Sequence, residues 1–468
     1  MAVLEPESAS TAKTTPIRIA VIGAGPAGFY TAGALFKQDA VDCRVDMFNR
    51  LPTPYGLVRE GVAPDHQKIK AVTRIFDRTG EDPRFRFFGN VTLGVDISVE
   101  DLRSFYHMIV YAVGAPSDRR LGIPGEDLTG SDPATTFVGW YNAHPDFADL
   151  TFDLSHERVV VIGNGNVAVD VARILARSVD ELAVSDIADH ALIALRHSGV
   201  REIIMLGRRG PAQAKFTSVE LKEFGMLDGV DVKVAAEQLV LDAHSQTQVD
   251  EERRVARNMD ILFDFSGREP SGAWRSLELR FLTSPVEILG DDGHVTGIRV
   301  ERNRLETEAD GRQRAVGTGE FETIECGLVL RSVGYRGISL PGVPFDESGA
   351  VIPSDAGRVT EAPGGRVRPG EYVVGWIKRG PTGIIGTNKS DAAKTVESML
   401  ADVPELDADD VNLDPDAVVR FLQDREIRYV TYDEWGRIDA EERARGEPQG
   451  RPRCKIVRIE EMLRVCGK

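Results

Sequence analysis

The sequence predicts an α/β protein of two parallel-sheet domains, the second inserted within the first. Three observations carry that expectation. In IRIAVIGAGPAGFYTAGALF (Ile17–Phe36) an apolar run meets a glycine turn and then a helical pattern of small and apolar residues. The same grammar returns about 140 residues later in RVVVIGNGNVAVDVARILA (Arg158–Ala176). Two further apolar runs, YHMIVYAVGA (Tyr106–Ala115) and LVLRSVGYRG (Leu328–Gly337), each reach a Val-Gly pair, as buried parallel strands do where they stop at a tight turn.

Those two runs bracket the second glycine motif and set the expected boundaries. The inserted domain spans residues 116–331, and the outer domain is made from both flanks, 17–115 and 332–468. Residues 1–16, MAVLEPESASTAKTTP, read as a loose tail: they lack an apolar stretch and carry Glu5 and Glu7, unlike a secretory signal or an Arg-rich transit peptide. Two polar stretches, Asp242–Arg257 and Glu301–Gly319, read as surface excursions.

Composition narrows the function. The 468 residues include 57 Lys+Arg against 74 Asp+Glu, a net charge of −17, which repels nucleic-acid phosphates. No run of about 18 apolar residues is present to span a membrane. The four cysteines, Cys43, Cys326, Cys454 and Cys466, form no Cys-x-x-Cys pair and no metal-ligand spacing, so no cluster, zinc site or redox disulfide is expected, and a reducing cytoplasm fits.

In the first motif Gly23, Gly25 and Gly28 supply the G-x-G-x-x-G spacing: a tight turn, close backbone approach to a pyrophosphate, and close packing of helix on strand. Pro26 suits the first helical turn, where its missing N–H is not needed. An acidic residue to grip a ribose is expected at the end of CRVDMF, but Asn49 stands there. In the second motif Gly163, Gly165 and Ala168 follow the G-x-G-x-x-A variant, with Asn166 and Val167 between. The next apolar strand, EIIMLG (Glu202–Gly207), comes after an extra segment, Ser178–Val200, and ends in Arg208 and Arg209. A basic pair where an NAD enzyme carries an acid is what the 2′-phosphate of NADP needs. A third stretch, Gly370–Leu400, reads as strand, glycine-rich loop and helix. A helix N-terminus near Gly383–Thr387 would aim N–H groups and a positive dipole end at an electron-rich group such as the N1–C2=O edge of a flavin, with Trp376 beside the ring.

Together these residues resemble the adrenodoxin reductase family of ferredoxin-NADP reductases, in its bacterial branch, over nearly the whole chain. Beyond the glycine motifs, the resemblance lies in LPTPYGLVREGVAPDHQKIK, EDPRFRFFGNVTLG, GRRGPAQAKFTSVELKE, RFLTSPVEI and VVGWIKRGPTGIIGTNK. It implies FAD, not covalently held, in the outer domain, NADPH in the inserted one, and electron delivery to a ferredoxin-type iron-sulfur protein or a haem acceptor. For FAD it implies Ala27 on the pyrophosphate loop, Asn49 in place of a ribose-binding Glu, Leu57 and Leu93 along the cleft, and Trp376, Gly383, Ile384 and Ile385 at the isoalloxazine. For NADP it implies Gly165, Asn166 and Val167 at the pyrophosphate, Arg208 and Arg209 at the 2′-phosphate, Glu220 beside the dinucleotide, and Gly383 where nicotinamide meets flavin. His66 and Glu223 match a pair that the family places near the flavin.

Hydride transfer itself asks for proximity and orientation rather than an acid or base. A pyridine nucleotide-disulfide reductase shares the plan but needs a cysteine pair beside the flavin. A flavoprotein subunit related to the small subunit of glutamate synthase normally carries a cysteine-rich iron-sulfur region. Neither feature is in the sequence. A charged Glu at position 49 is expected to hold FAD better than Asn does, and the clustered Arg253, Arg254 and Arg257 are expected to face an acidic ferredoxin.

Overall fold

A computed structural model describes residues 16–406 and 411–468. Apart from Pro16, the expected tail lies outside the described residues. The chain forms two compact units. The first comprises residues up to Gly56, Val72–Ala115 and Gly337–Trp435, and the second comprises Leu57–Ala71, Pro116–Arg336 and Gly436–Lys468.

The first unit is built on a seven-stranded sheet. Its parallel part runs Val367–Val373, Met108–Tyr111, Ile17–Ile22, Cys43–Asn49, Phe85–Gly89, and two short antiparallel strands extend one edge. With the glycine-loop strand central and its chain neighbours stepping outward on either side, this is the Rossmann order. The strands are continuous runs of buried residues because helices cover both faces of a parallel sheet. Ile22, Phe48, Tyr111 and Val373 belong to one core cluster, so the strand ends that carry the loops are fixed by packing.

The second unit repeats the plan with six strands in the order Ser131–Pro133, Leu328–Arg331, Arg158–Ile162, Glu202–Leu206, Arg275–Arg280, Val230–Val234. Both Val-Gly runs are parallel strands beside their glycine-loop strands, as expected. The two polar stretches are more ordered than surface excursions. Asp242 caps a helix over Ala243–Glu251, accepting from Ser245 N–H at 2.8 Å, and a second helix covers Arg253–Ser266. Residues 301–319 fall in a long antiparallel ribbon of His294–Thr307 and Gln313–Glu325.

The compact units differ from the expected domains at two long segments and at residues 332–336, which also fall in the second unit. Residues 57–71 and 436–468 fall in the second unit, and buried ion pairs account for it. Arg59 binds Glu442 through two bonds of 2.8 and 2.6 Å, Lys70 binds Asp186 at 2.7 Å, and Lys455 lies 3.3 Å from Asp186. Breaking such a buried pair leaves an uncompensated charge, so these contacts hold both segments firmly. Among the described residues no helix is long and apolar enough to cross a membrane.

Candidate functional site

In the first unit the glycine loop leaves strand Ile17–Ile22 and opens helix Pro26–Leu35. Gly23 has φ +109°, and a Cβ there would lie 2.6 Å from the Ala112 carbonyl oxygen. A Cβ on Gly28 would lie 2.2 Å from the Gly23 carbonyl oxygen, which is the close packing the third glycine exists to allow. Gly25 differs: a Cβ there would meet nothing within 4 Å, and no side chain caps the helix. The loop therefore offers uncapped N–H groups and open space at the positive end of a helix dipole, which fits a pyrophosphate.

The third glycine-rich stretch meets this loop within the same unit. A Cβ on Gly375 would lie 2.7 Å from the Cβ of Ala27, so the turn before Trp376 packs directly on the start of the first helix. The expected second helix runs from Thr387 to Asp402, again without a side-chain cap. Trp376 is half-buried, and its indole N–H donates to the Thr382 carbonyl at 3.1 Å. Gly383 and Ile384 are exposed and Ile385 is half-buried at the helix entry. Two uncapped helix starts converging in one unit suit a ligand with a pyrophosphate and an electron-rich ring, and the residues present fit FAD. Leu93 lies half-buried in the same unit, whereas Leu57 begins a short helix, Leu57–Glu60, grouped with the second.

Asn49 is engaged with the backbone around it. Its Oδ1 accepts from Ala24 N–H at 3.2 Å, and its amide donates to the carbonyls of Leu51 (2.9 Å) and Thr53 (3.0 Å). The side chain ties strand end, glycine loop and the adjoining turn together. A Glu has no hydrogen to donate and would set its charge against two carbonyl oxygens, so these bonds argue that Asn49→Glu weakens the site rather than strengthens it.

In the second unit Gly163 and Gly165 repeat the pattern. A Cβ on Gly163 would lie 2.2 Å from the Ser332 carbonyl oxygen, Gly165 faces open space, and helix Asn166–Ala176 has no side-chain cap. Ala168 is buried and its methyl is accommodated. Asn166 Oδ1 accepts from Thr217 N–H at 2.8 Å, fastening helix Ser218–Phe224 to the loop, while Val167 packs on the core. At the end of the next strand Arg208 is exposed and Arg209 half-buried, and among the described residues neither guanidinium has a hydrogen bond or ion pair. Burial and the neighbouring Arg208 charge both push Arg209 below the usual range. Two adjacent, unpaired guanidinium groups fit the NADP 2′-phosphate.

Helix Ser218–Phe224 carries Glu223, and His66 reaches it from the loop that opens the short helix Gln67–Lys70. His66 Nε2 lies 2.8 Å from Glu223 Oε2 and 3.6 Å from Glu220 Oε2, and Nδ1 lies 3.8 Å from Asp170 Oδ1. Burial is the largest influence on His66 and opposes its charge, but the bond to Glu223 together with the charges of Asp170 and Asp65 raises the pKa. Burial likewise pushes Glu223 up, and His66 and Arg173 bring it below the usual range. Glu220 is raised, first by burial and then by the Asp170 charge. Sequence reading missed Asp65, Asp170 and Arg173, which complete this cluster. A charged pair three residues apart inside the apolar run VAVDVARILA is the signal that could have found two of them. Although His66, Asp170 and Glu220 bring ligand atoms within 4.8 Å of one another, Arg173 stands among them and supplies the positive charge.

Of the three arginines expected at a partner surface, Arg254 is engaged in the fold, donating to the Ala214 and Phe216 carbonyls at 3.2 and 3.3 Å. Arg253 and Arg257 are exposed.

Two glycine-loop units, each opening an uncapped helix, define a two-dinucleotide oxidoreductase. Comparison with known proteins makes this specific. A family model described as pyridine nucleotide-disulphide oxidoreductase matches residues 17–281. The NADPH-ferredoxin reductase FprA of Mycobacterium tuberculosis is 48% identical over 467 residues, covering 96% of this chain and 99% of that one. The mitochondrial NADPH:adrenodoxin oxidoreductase of Arabidopsis thaliana is 40% identical over 470 residues, covering 97% of this chain and 96% of its own. The solved structure of Mycobacterium tuberculosis FprA in complex with NADPH matches with a TM-score of 0.91 over 97% of this chain and 100% of that one. The chain belongs to the adrenodoxin reductase-like family of NADPH-ferredoxin reductases.

Proposed function

We propose that the protein is an FAD-containing NADPH-ferredoxin reductase. Held by the first glycine loop and the stretch around Trp376, FAD would supply the switch between two-electron exchange with NADPH and one-electron exchange with a ferredoxin-type iron-sulfur protein. The observation that carries this reading is the unpaired Arg208–Arg209 couple at the end of the strand beyond the second glycine loop, in a chain 48% identical to an NADPH-ferredoxin reductase over nearly its full length. The disulfide-reductase alternative lacks its reagent, because all four cysteines are buried thiols that form no disulfide. Those thiols also support a cytoplasmic location.

The roles divide between the two units. Gly23, Gly25, Ala27 and Gly28 hold the FAD pyrophosphate, and Trp376 with Gly383, Ile384 and Ile385 borders the flavin. Gly165, Asn166 and Val167 hold the NADP pyrophosphate, Arg208 and Arg209 grip the 2′-phosphate, and Glu220 lies beside the dinucleotide. His66 and Glu223 hold a proton between them at the Nε2–Oε2 contact.

The test is cytochrome c reduction coupled through ferredoxin. Purified yellow protein should reduce cytochrome c rapidly only with NADPH and ferredoxin both present. Turnover independent of ferredoxin, or none with any ferredoxin, would refute the assignment.

A further inference from the structure

Arg173 lies two turns into helix Asn166–Ala176 with its side chain fully buried, the largest such side chain in the core. A guanidinium sealed from water must be matched, and the matching here involves every carboxylate around His66. Nε and Nη2 fork onto Asp65 at 2.7 and 3.1 Å, and Nη2 also reaches Asp170 at 2.7 Å. Nη1 faces Glu223 at 3.3 Å and Glu220 at 3.6 Å, without a bond of good geometry to either. Nη2 lies 3.5 Å from His66 Nδ1.

We propose that Arg173 is a positioning residue that holds His66 as the tautomer with its proton on Nε2, directed at Glu223, and with Nδ1 bare. The inference rests on reading His66 and Glu223 as a working pair. A guanidinium has only donors to offer, so a ring nitrogen facing it is stable as an acceptor and unstable as an N–H. The carboxylate paired with Nδ1, that of Asp170, is 3.8 Å away and already bonded to Arg173. On the other side, Nε2 meets an acceptor at 2.8 Å. Both edges of the ring therefore select the same tautomer.

Charge strengthens the selection. The groups facing His66 are Asp65 from its own loop, Asp170 and Arg173 from one helix, and Glu220 and Glu223 from the other. Arg177 acts at one remove, through its 2.9 Å bond to Asp65. Without Arg173 the carboxylates would draw a second proton onto Nδ1. Arg173 opposes that proton and keeps a single hydrogen in the pair. It also links the pair to the second glycine loop, since Asn166 begins the same helix about 10 Å away.

The experiment is long-range 1H–15N NMR of the 15N-histidine-labelled, FAD-loaded protein across a pH series, with the His66 signal assigned by its loss in His66→Gln. In the neutral wild-type ring the proton should be on Nε2. In Arg173→Gln the imidazolium should persist to higher pH than in wild type. Arg173→Lys, which keeps the charge but loses the fork, should fall between. A wild-type proton on Nδ1 overturns the proposal whether or not any variant folds. So does an Arg173→Gln protein with unchanged titration and tautomer. The pH profile of anaerobic flavin reduction in His66→Gln tests the underlying reading separately: a profile identical to wild type removes the pair from the reaction and leaves the tautomer result standing.

Discussion

The two glycine loops share a plan and differ at the third motif position and at the end of the next strand. In the first loop, the third glycine cannot bear a methyl and the strand end is occupied by Asn49, which uses its amide and carbonyl to brace the loop. In the second, Ala168 sits where the third glycine would be, and the strand end presents two arginines bonded to nothing among the described residues. The contrast separates a polar residue whose hydrogen bonds brace its loop from two whose guanidinium groups have no partner among the described residues. In register Asn49 corresponds to Gly207, and the arginines follow one and two residues beyond it, so both the position and the hydrogen-bond partners differ.

Removing both free arginines should break the contrast most. Each charge-assisted bond to a phosphate contributes about 1.5 to 3 kcal/mol. Arg208→Ala combined with Arg209→Ala should therefore raise the KM for NADPH tenfold or more and leave that for NADH nearly unchanged, measured by steady-state kinetics with both cofactors. An equal loss with both would show that the arginines serve the fold.

Adding a methyl to each loop comes next. Gly28→Ala forces a Cβ against backbone and should destabilise the first unit by about 2 to 3 kcal/mol, with loss of FAD on gel filtration. The reverse change in the second loop, Ala168→Gly, should cost about 1 kcal/mol and leave FAD bound. Equal tolerance of both substitutions would mean the loops are alike after all.

Asn49→Glu sharpens the comparison at the strand ends. It removes two donated bonds and should weaken the hold on FAD by about 1 to 2 kcal/mol, seen as faster release of flavin fluorescence in mild denaturant. Tighter retention would restore the ribose-acceptor reading.

The smallest effect is on pH dependence and lies within the second unit. The folded-state pKa of His66 is raised, so its contribution to stability is complete below the unfolded value, about 6.5, and disappears as pH rises through the folded value. Denaturant unfolding of the second unit should show that loss in wild type and not in His66→Gln. Asp65 behaves oppositely. Its carboxyl is held at about 2, burial being outweighed by the bonds and charge of Arg173, so its contribution is complete above the ordinary carboxylate range and is lost as pH falls through about 2.

Much of this is legible in the sequence because it is local. A glycine loop lies between its own strand and helix, and an arginine pair at a strand end is readable from a single stretch. Asn49 escapes such a reading because its three partners are defined by a chain reversal that spacing does not reveal. The assignment of residues 57–71 and 436–468 is hidden for a different reason. Arg59 and Glu442 are 383 residues apart, and Lys70 and Asp186 are 116 apart, so neither charge announces its partner. The helix after Asp242 escapes because it is almost wholly polar, although its Asx cap is present to be read.

The most direct test of the central claim, that the free arginine pair admits NADPH to a flavin enzyme, is anaerobic mixing of the FAD-loaded wild-type protein with NADPH or NADH at equal subsaturating concentration. NADPH should bleach the flavin band at least tenfold faster than NADH. Equal rates, or a yellow colour that persists with NADPH, would contradict the account.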